Sequence, residues 1–316
     1  MKVLIVCSGN FSGKFEHAQV FIYEQMEELR KQGVTCDIFL IKGKGAWGYI
    51  NNVLKLNRLL LKKKYDLVHA VYGLSGLIAL LQFRAKVITT FIGSDINNTR
   101  RIIPKLVARF SDFSIFVEKA MPGKINCKNK YLIVPFGLDM NFIKPEDKEE
   151  SRKIMDFKPD EKIILFCSSF NRPEKNYSLA SQAIKMLPYP IKVVELGKSY
   201  SREEVSRILN SSDVVLMTSL HEGSPQLIKE AMACNIPVVS TDVGDVREII
   251  GDTGGTYICT YDPMDVAEKI RLALHFAETN GRTKGRERII RLGLDNKVIA
   301  GRINEVYNAV LSGNKI

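Results

Sequence analysis

The chain has 316 residues, 45% hydrophobic and 26% charged, with a formal net charge of +11. This composition excludes a disordered chain, and the length exceeds one ordinary core and fits two domains of usual size. No apolar run reaches the roughly 18–20 residues of a membrane-spanning helix.

The opening "MKVLIVCSGNFSG" reads as a strand, "KVLIVC", running into glycines, without the apolar region and cleavage site of a signal peptide. Residues 16–32 follow as a helix with Val20, Phe21, Met26 and Leu29 on its apolar side. "VTCDIFLI" is the next strand and "NNVLKLNRLLLKKK" the next helix; "DLVHAV", "KVITTF" and "DFSIFV" are further strands separated by helical stretches. Val/Ile/Leu strands alternating with helices predict a parallel sheet covered on both faces.

The pattern then restarts. "YLIVPFGLDMNF" ends in a Pro/Gly turn, "KPEDKEESRK" follows, and new strands come at "KIILFCSS", "IKVVEL", "DVVLMTS", "IPVVST" and "GTYIC". The expected architecture is α/β, with two doubly wound Rossmann-like domains, residues 1–138 and 143–296, facing across a cleft at the carboxyl ends of their strands. Residues 297–316 form an amphipathic helix, with Val298, Ile299, Ile303, Val306, Tyr307 and Val310 in register, expected to pack back on the first domain.

The chemistry concentrates after the strand "DVVLMTS". In "HEGSPQLIKEAMACNIPVVSTDVGD", Ser224 is expected to cap a helix that Pro225 begins, so that first-turn amides and the helix dipole form an anion site. Glu222, just outside the cap, would repel phosphate but accept hydrogen bonds from sugar hydroxyls. Glu230, further along the helix, suits ribose hydroxyls. The pattern describes a nucleotide sugar laid across a helix start; acidic residues placed to complement the dipole are the plain alternative. "SSFNRPEKN" sets Arg172 and Lys175 in the loop after the first strand of the second domain, where two cations can clamp a diphosphate. Gly197 in "ELGKSYS" and Gly244 in "TDVGD" each follow a strand, where a missing side chain lets a base or ribose approach the backbone.

Together these residues resemble the retaining glycosyltransferases of family four, which have the two-domain GT-B fold. The likeness is most specific in "EGSPQLIKEAMACNIPVVSTDVGD", similar to that family's Glu-x7-Glu signature, and extends to "NRPEKN", "VPFGLD", "DLVHAVYGLSG" and "TFIGSDIN". It implies that Glu222 contacts the donor sugar near its reacting carbon, that Glu230 binds the donor ribose, and that Arg172 and Lys175 stabilise the leaving diphosphate. Gly223, Ser224 and the amides of Pro225, Gln226 and Leu227 would complete the donor site. The loop from Gly9 to Gly13 would approach the phosphate or sugar from the first domain; it lacks the Gly-x-Gly-x-x-Gly spacing of a dinucleotide binder. The absence of an Asp-x-Asp triplet agrees with a reaction that needs neither metal nor cofactor, the nucleotide sugar being a substrate. Many family members read His-Gly-Ser-Asp where this chain has Ile92-Gly93-Ser94-Asp95. Acceptor-side candidates are therefore Asp95 and Ser94, with His17 and His69.

Charge divides unevenly: residues 1–142 hold 21 Lys+Arg against 10 Asp+Glu, while the remainder is balanced at 25 against 25. The first half, the acceptor side in GT-B enzymes, is thus expected to meet an anionic partner, with a solvated basic face as the alternative. Leu54, Leu59, Leu60 and Leu61 interleave with Lys55, Arg58, Lys62, Lys63 and Lys64, and "RRIIPKLVARF" repeats the mixture, as in segments that lie on anionic lipid. The expected protein is a hexosyltransferase of polysaccharide biosynthesis acting on a glycan or lipid-linked acceptor, cytoplasmic or peripheral at the inner face of the cell membrane. The six scattered cysteines agree with a reducing compartment. A GT-B sugar-nucleotide epimerase is the alternative. Nucleic-acid binding is not expected, because no aromatic-interleaved platform accompanies the basic residues.

Overall fold

The apolar runs of the first 133 residues form six parallel strands: β1 (Lys2–Ser8), β2 (Thr35–Ile41), β3 (Leu67–Val71), β4 (Lys86–Phe91), β5 (Phe113–Phe116) and β6 (Tyr131–Ile133). They pair in the order β2-β1-β3-β4-β5-β6. A second parallel sheet contains β7 (Ile163–Phe166), β8 (Lys192–Glu195), β9 (Val214–Met217), β10 (Val238–Thr241) and β11 (Thr256–Cys259), ordered β11-β10-β9-β7-β8. The structure, a computed structural model, describes residues 1–11, 19–43, 45–97, 101–196 and 200–314. The fold is GT-B.

The described helices of the first half are α1 (Val20–Lys31), α2 (Gly45–Lys62), α3 (Gly73–Ala79), α4 (Ser94–Asn97), α5 (Ile102–Phe110) and α6 (Met121–Lys124). Those of the second are α7 (Lys148–Ile154), α8 (Tyr177–Lys185), α9 (Arg202–Ser211), α10 (Gln226–Ala233), α11 (Val246–Ile250), α12 (Pro263–Asn280) and α13 (Gly285–Arg291), and α14 (Asn296–Ser312) closes the chain. Helix α2 begins six residues before the stretch its leucines announce, because Gly45 and Gly48 weaken the helical pattern there.

Strands β3, β7, β9 and β10 are buried at every position, as sheets covered on both faces require. Alternate side chains feed opposite cores. Val3, Ile5 and Cys7 of β1 pack with Ile22, Met26 and Leu29 of α1 and with Ile303 and Tyr307 of α14. Leu4 and Val6 join Leu56 and Leu60 of α2 and Ile78 of α3. In the second sheet Leu165 and Val215 meet Ile208 and Ile228, while Ile164 and Leu216 meet Ala180 and Ile270.

The chain divides into two compact units, Met1–Gly137 with Asn296–Ile316, and Leu138–Asp295. The second unit starts at Leu138 rather than 143 because Leu138, Met140 and Ile143 are all buried in its core, and Leu138 N–H donates to Leu294 O at 3.0 Å. Asn296 opens α14 and belongs to the first unit.

Each sheet has one place where successive connections leave in opposite directions, the usual ligand crevice of an open parallel sheet. In the first sheet it lies between β1 and β3, in the second between β7 and β9.

Candidate functional site

The crevice of the second sheet is bounded by the loop after β7 and the loop after β9. The first loop passes through a 3-10 turn, Pro173–Lys175, and Asn176 with φ 53° before α8. It is tied to the end of β9: Thr218 Oγ1 donates to Lys175 O (3.1 Å) and Asn176 O (2.9 Å), and Leu220 N–H donates to Glu174 O (2.9 Å). These bonds bring Lys175 to Glu222. The ammonium donates to the Glu222 carboxylate, which also accepts from Ser219 Oγ at 2.8 Å. Both members of the pair are mostly shielded from solvent, so removing one leaves its partner poorly compensated.

Arg172 does not share that arrangement. Its guanidinium forms a fork on Glu174 Oε1, 2.8 Å from Nε and 2.5 Å from Nη2, and is largely exposed. The expected double clamp is therefore two separate ion pairs here. Glu174, two residues along the same loop, is the nearer carboxylate for Arg172.

Helix α10 starts one residue later than expected. Pro225 is its N-cap residue (φ −69°, ψ 117°), and its own side chain makes no capping hydrogen bond. The Ser224 hydroxyl donates instead to Asp245 Oδ2 at 2.6 Å, and Asp245 N–H donates to Gly223 O at 3.1 Å. The start of α10 presents the positive end of the helix dipole along this turn. Gly223, Ser224, Pro225, Gln226 and Leu227 all lie along this turn. The room expected for a ligand at Gly244 is filled by the protein: at φ +58°, a Cβ there would stand 2.1 Å from Gly223 O.

Glu230 lies further along α10, buried, and its carboxylate accepts from Arg202 of α9. Arg202 was not singled out by the sequence reading. Its signal is the capping box Ser201–Glu204, which starts α9 with Arg202 as its first residue. Ser219, Asp245 and Lys229 also escaped it. Lys229 is fully buried, and burial pushes its ammonium down to about 8 against the charges of Asp245 and Glu230. Gly197, Gly13 and His17 lie outside the described residues.

In the first unit, Gly9 N–H donates to Ile41 O at 2.8 Å, and a Cβ at Gly9 would meet Leu40 Cβ at the same distance. This glycine seats the loop on β2. Asp95 is buried beside the crevice of the first sheet, and burial raises its carboxyl to about 6. Its oxygens accept from the amides of Gly73 (3.0 Å), Gly93 (2.9 Å) and Ile92 (3.2 Å), holding the turn after β4 against the start of α3. Ser94 is exposed at the start of α4, and its hydroxyl shares a side-chain hydrogen bond with Tyr72. Tyr72 has φ 84°, a conformation a tyrosine rarely adopts, at the carboxyl end of β3.

His69 is a core residue. It is fully buried, its Nδ1 is 2.6 Å from Tyr307 Oη and its Nε2 is 2.8 Å from Thr90 Oγ1. Burial lowers the imidazole to about 4, so it is neutral and joins α14 to the sheet; this position does not offer it to an acceptor.

Part of the basic excess lies on α2 and around α5. Helices α2, α3 and α5 pack in series on one face of the first sheet. Trp47 (82% exposed), Ile50, Leu54 and Leu61 project from α2, Phe83 (93%) follows α3, and Ile102, Leu106 and Phe110 project from α5. Residues 42–64 and 96–111 contain no acidic residue. A hollow of about 830 Å³ at the end of α2 is lined in part by Lys62, Lys64, Arg84 and Phe83.

Comparison with known proteins identifies the family and the fold. Residues 17–109 match the model of the glycosyl transferase 4-like family, and residues 190–289 that of glycosyl transferases group 1. The chain is 24% identical to N-acetyl-alpha-D-glucosaminyl L-malate synthase of Bacillus anthracis, over 83% of this chain and 79% of that protein. It is 26% identical to a putative teichuronic acid biosynthesis glycosyltransferase of Bacillus subtilis, over 59% of this chain and 55% of that one. The structure of Anabaena HepE in complex with UDP and glucose superposes with a TM-score of 0.76 at 16% identity, covering 98% of this chain and 100% of that chain. The two family matches fall on the two sheets in turn, and the chain belongs to the family-four type of glycosyltransferases.

Proposed function

We propose that the chain transfers a sugar, with retention of anomeric configuration, from a nucleotide-sugar donor held by the second unit to a glycan or lipid-linked acceptor on the first. The setting is assembly of a cell-surface polysaccharide or glycolipid. The observation that carries this reading is the Lys175–Glu222 pair at the crevice of the second sheet, beside the start of α10. The names of similar proteins support it: HepE was solved with UDP and glucose, and the Bacillus subtilis relative is named for teichuronic acid biosynthesis.

In this reaction the bond from the anomeric carbon to the phosphate oxygen breaks and its electron pair leaves with the nucleoside diphosphate. Lys175, Arg172 and the first-turn amides of α10 provide positive charge where that negative charge grows, without a metal. An arriving diphosphate competes with Glu222 for the Lys175 ammonium and with Glu174 for Arg172. Glu222, released, accepts hydrogen bonds from the donor sugar, and Glu230 accepts from the ribose. The acceptor hydroxyl adds to the anomeric carbon and its proton passes to the departing phosphate oxygen.

The basic and apolar layer of α2 and α5 suits an anionic bilayer, each basic residue near the surface contributing about 1 kcal/mol. We therefore read the enzyme as peripheral at the inner face of the cell membrane. No helix among the described residues is long and apolar enough to cross one.

Thermal-shift screening with UDP-, GDP- and ADP-sugars, followed by transfer to a lipid-linked glycan, tests the reading. Stabilisation by one donor class is expected, about 2.7 kcal/mol at a hundredfold excess over Kd, with acceptor-dependent release of nucleotide. Release of nucleotide with an epimerised sugar and no acceptor would favour an epimerase. RNA retention at physiological salt without any donor binding would overturn both.

A further inference from the structure

Lys229 is the only charged side chain among the described residues with no solvent exposure at all. A buried ammonium is costly unless fixed partners compensate it, and an apolar residue would fill this helical position without that cost. Its partners are specific. Nζ donates to Gln226 Oε1 at 3.0 Å, at the first residue of α10. The carboxylates facing it are Asp245, in the turn after β10, and Glu230 on its own helix, which Arg202 of α9 already engages. Asp245 in turn receives the Ser224 hydroxyl and donates its amide to Gly223 O. One buried charge therefore stands behind Gln226 directly and behind Gly223 and Ser224 through Asp245.

We propose that Lys229 is a positioning residue, whose ammonium, with Asp245, presets the Gly223–Gln226 turn to receive the phosphates of the donor. The inference rests on the reading of that turn as the phosphate side of the donor site. It places a charge requirement behind the turn, in a residue that touches no substrate. Because burial brings the ammonium down to about 8, the turn loses this support as the pH rises past that value.

The test uses the full chain with Lys229→Met, which keeps length and removes charge, Asp245→Asn, and the double variant. Hydrogen exchange across residues 222–227 and 243–246 is expected to quicken about tenfold in each single variant, with the other strands of the second unit unchanged. The double variant is expected to lose no more than the worse single one, as coupled residues do. UDP affinity of the wild type should fall about tenfold between pH 7 and 9.5, while Lys229→Met binds weakly at both. Unchanged exchange in the two turns, or an equal alkaline fall in Lys229→Met, overturns the positioning role. If exchange responds as expected but the wild type binds no UDP, GDP or ADP, the positioning stands and the donor reading of the turn falls.

Discussion

Replacing Gly244 by alanine adds one methyl group where the backbone of a second loop already stands. Two costs can be separated. Gly244 has φ +58°, and an L side chain in that left-handed region costs about 1–2 kcal/mol. The new Cβ would also lie 2.1 Å from Gly223 O and 2.9 Å from Gly223 C. These are backbone atoms that cannot rotate away, so the loop must retreat by on the order of 1 Å to restore ordinary contact. A displacement of that size in a substrate-positioning loop lowers turnover by about 100-fold. Gly281 provides the control: it has φ +73° in the same unit, with no atom within 4 Å of an added Cβ. Gly281→Ala is expected to incur the conformational cost alone, lowering Tm by roughly 2–8 °C with turnover unchanged, and Gly244→Ala to lower Tm at least as far. Calorimetry and a donor-turnover assay on both variants separate the terms. Wild-type turnover in Gly244→Ala, or an equal loss in Gly281→Ala, would refute the claim that contact with Gly223 sets the loop.

Other variants probe the remaining assignments. Glu222→Gln removes the charge that competes with the diphosphate for Lys175, and should lower turnover by about 100-fold while nucleotide affinity rises. Glu230→Ala should weaken nucleotide binding about tenfold; wild-type transfer rates in both variants would show that the site lies elsewhere. Lys55, Arg58 and Lys62 changed together to glutamate should lower recovery with anionic liposomes by about 100-fold, and equal flotation of the wild type with neutral and anionic vesicles would exclude the bilayer. His69 is neutral down to about pH 4 in the fold, whereas an unfolded imidazole titrates near 6.5. Unfolded chains therefore bind more protons between these values, and the first unit loses about 3 kcal/mol of stability as the pH falls through them. Asp95, raised to about 6, acts in the opposite sense between 6 and about 4. In His69→Gln the Asp95 contribution persists, so its Tm should fall less than that of the wild type between pH 7 and 4.5; an equal fall would contradict the buried neutral ring.

The parallel sheets were legible in the sequence because buried strands leave unbroken apolar runs: "KVLIVC", "DLVHAV", "KIILFC" and "DVVLMTS" are all strands. The Glu-x7-Glu block announced a loop and a helix, and with them the family. The partners of its side chains were less visible. Ser224 read as a cap, but its hydroxyl meets Asp245, 21 residues on, because β9 and β10 are parallel neighbours whose following loops emerge side by side. The same adjacency turns Gly244 from room for a ligand into room for Gly223. His69 looked like a strand-end histidine open to an acceptor, until α14, 238 residues away at Tyr307, closed over it.

The sequence by itself determined where strands and helices form and which family its motifs resemble, because burial periodicity, turn residues and motif spacing are local properties. Tertiary structure alone decided that Lys175 faces Glu222, that Arg202 faces Glu230, and that Lys229 is enclosed. Those pairings depend on strand order, which sets loops from distant parts of the chain beside one another, and a charged side chain finds its partner only once that order exists.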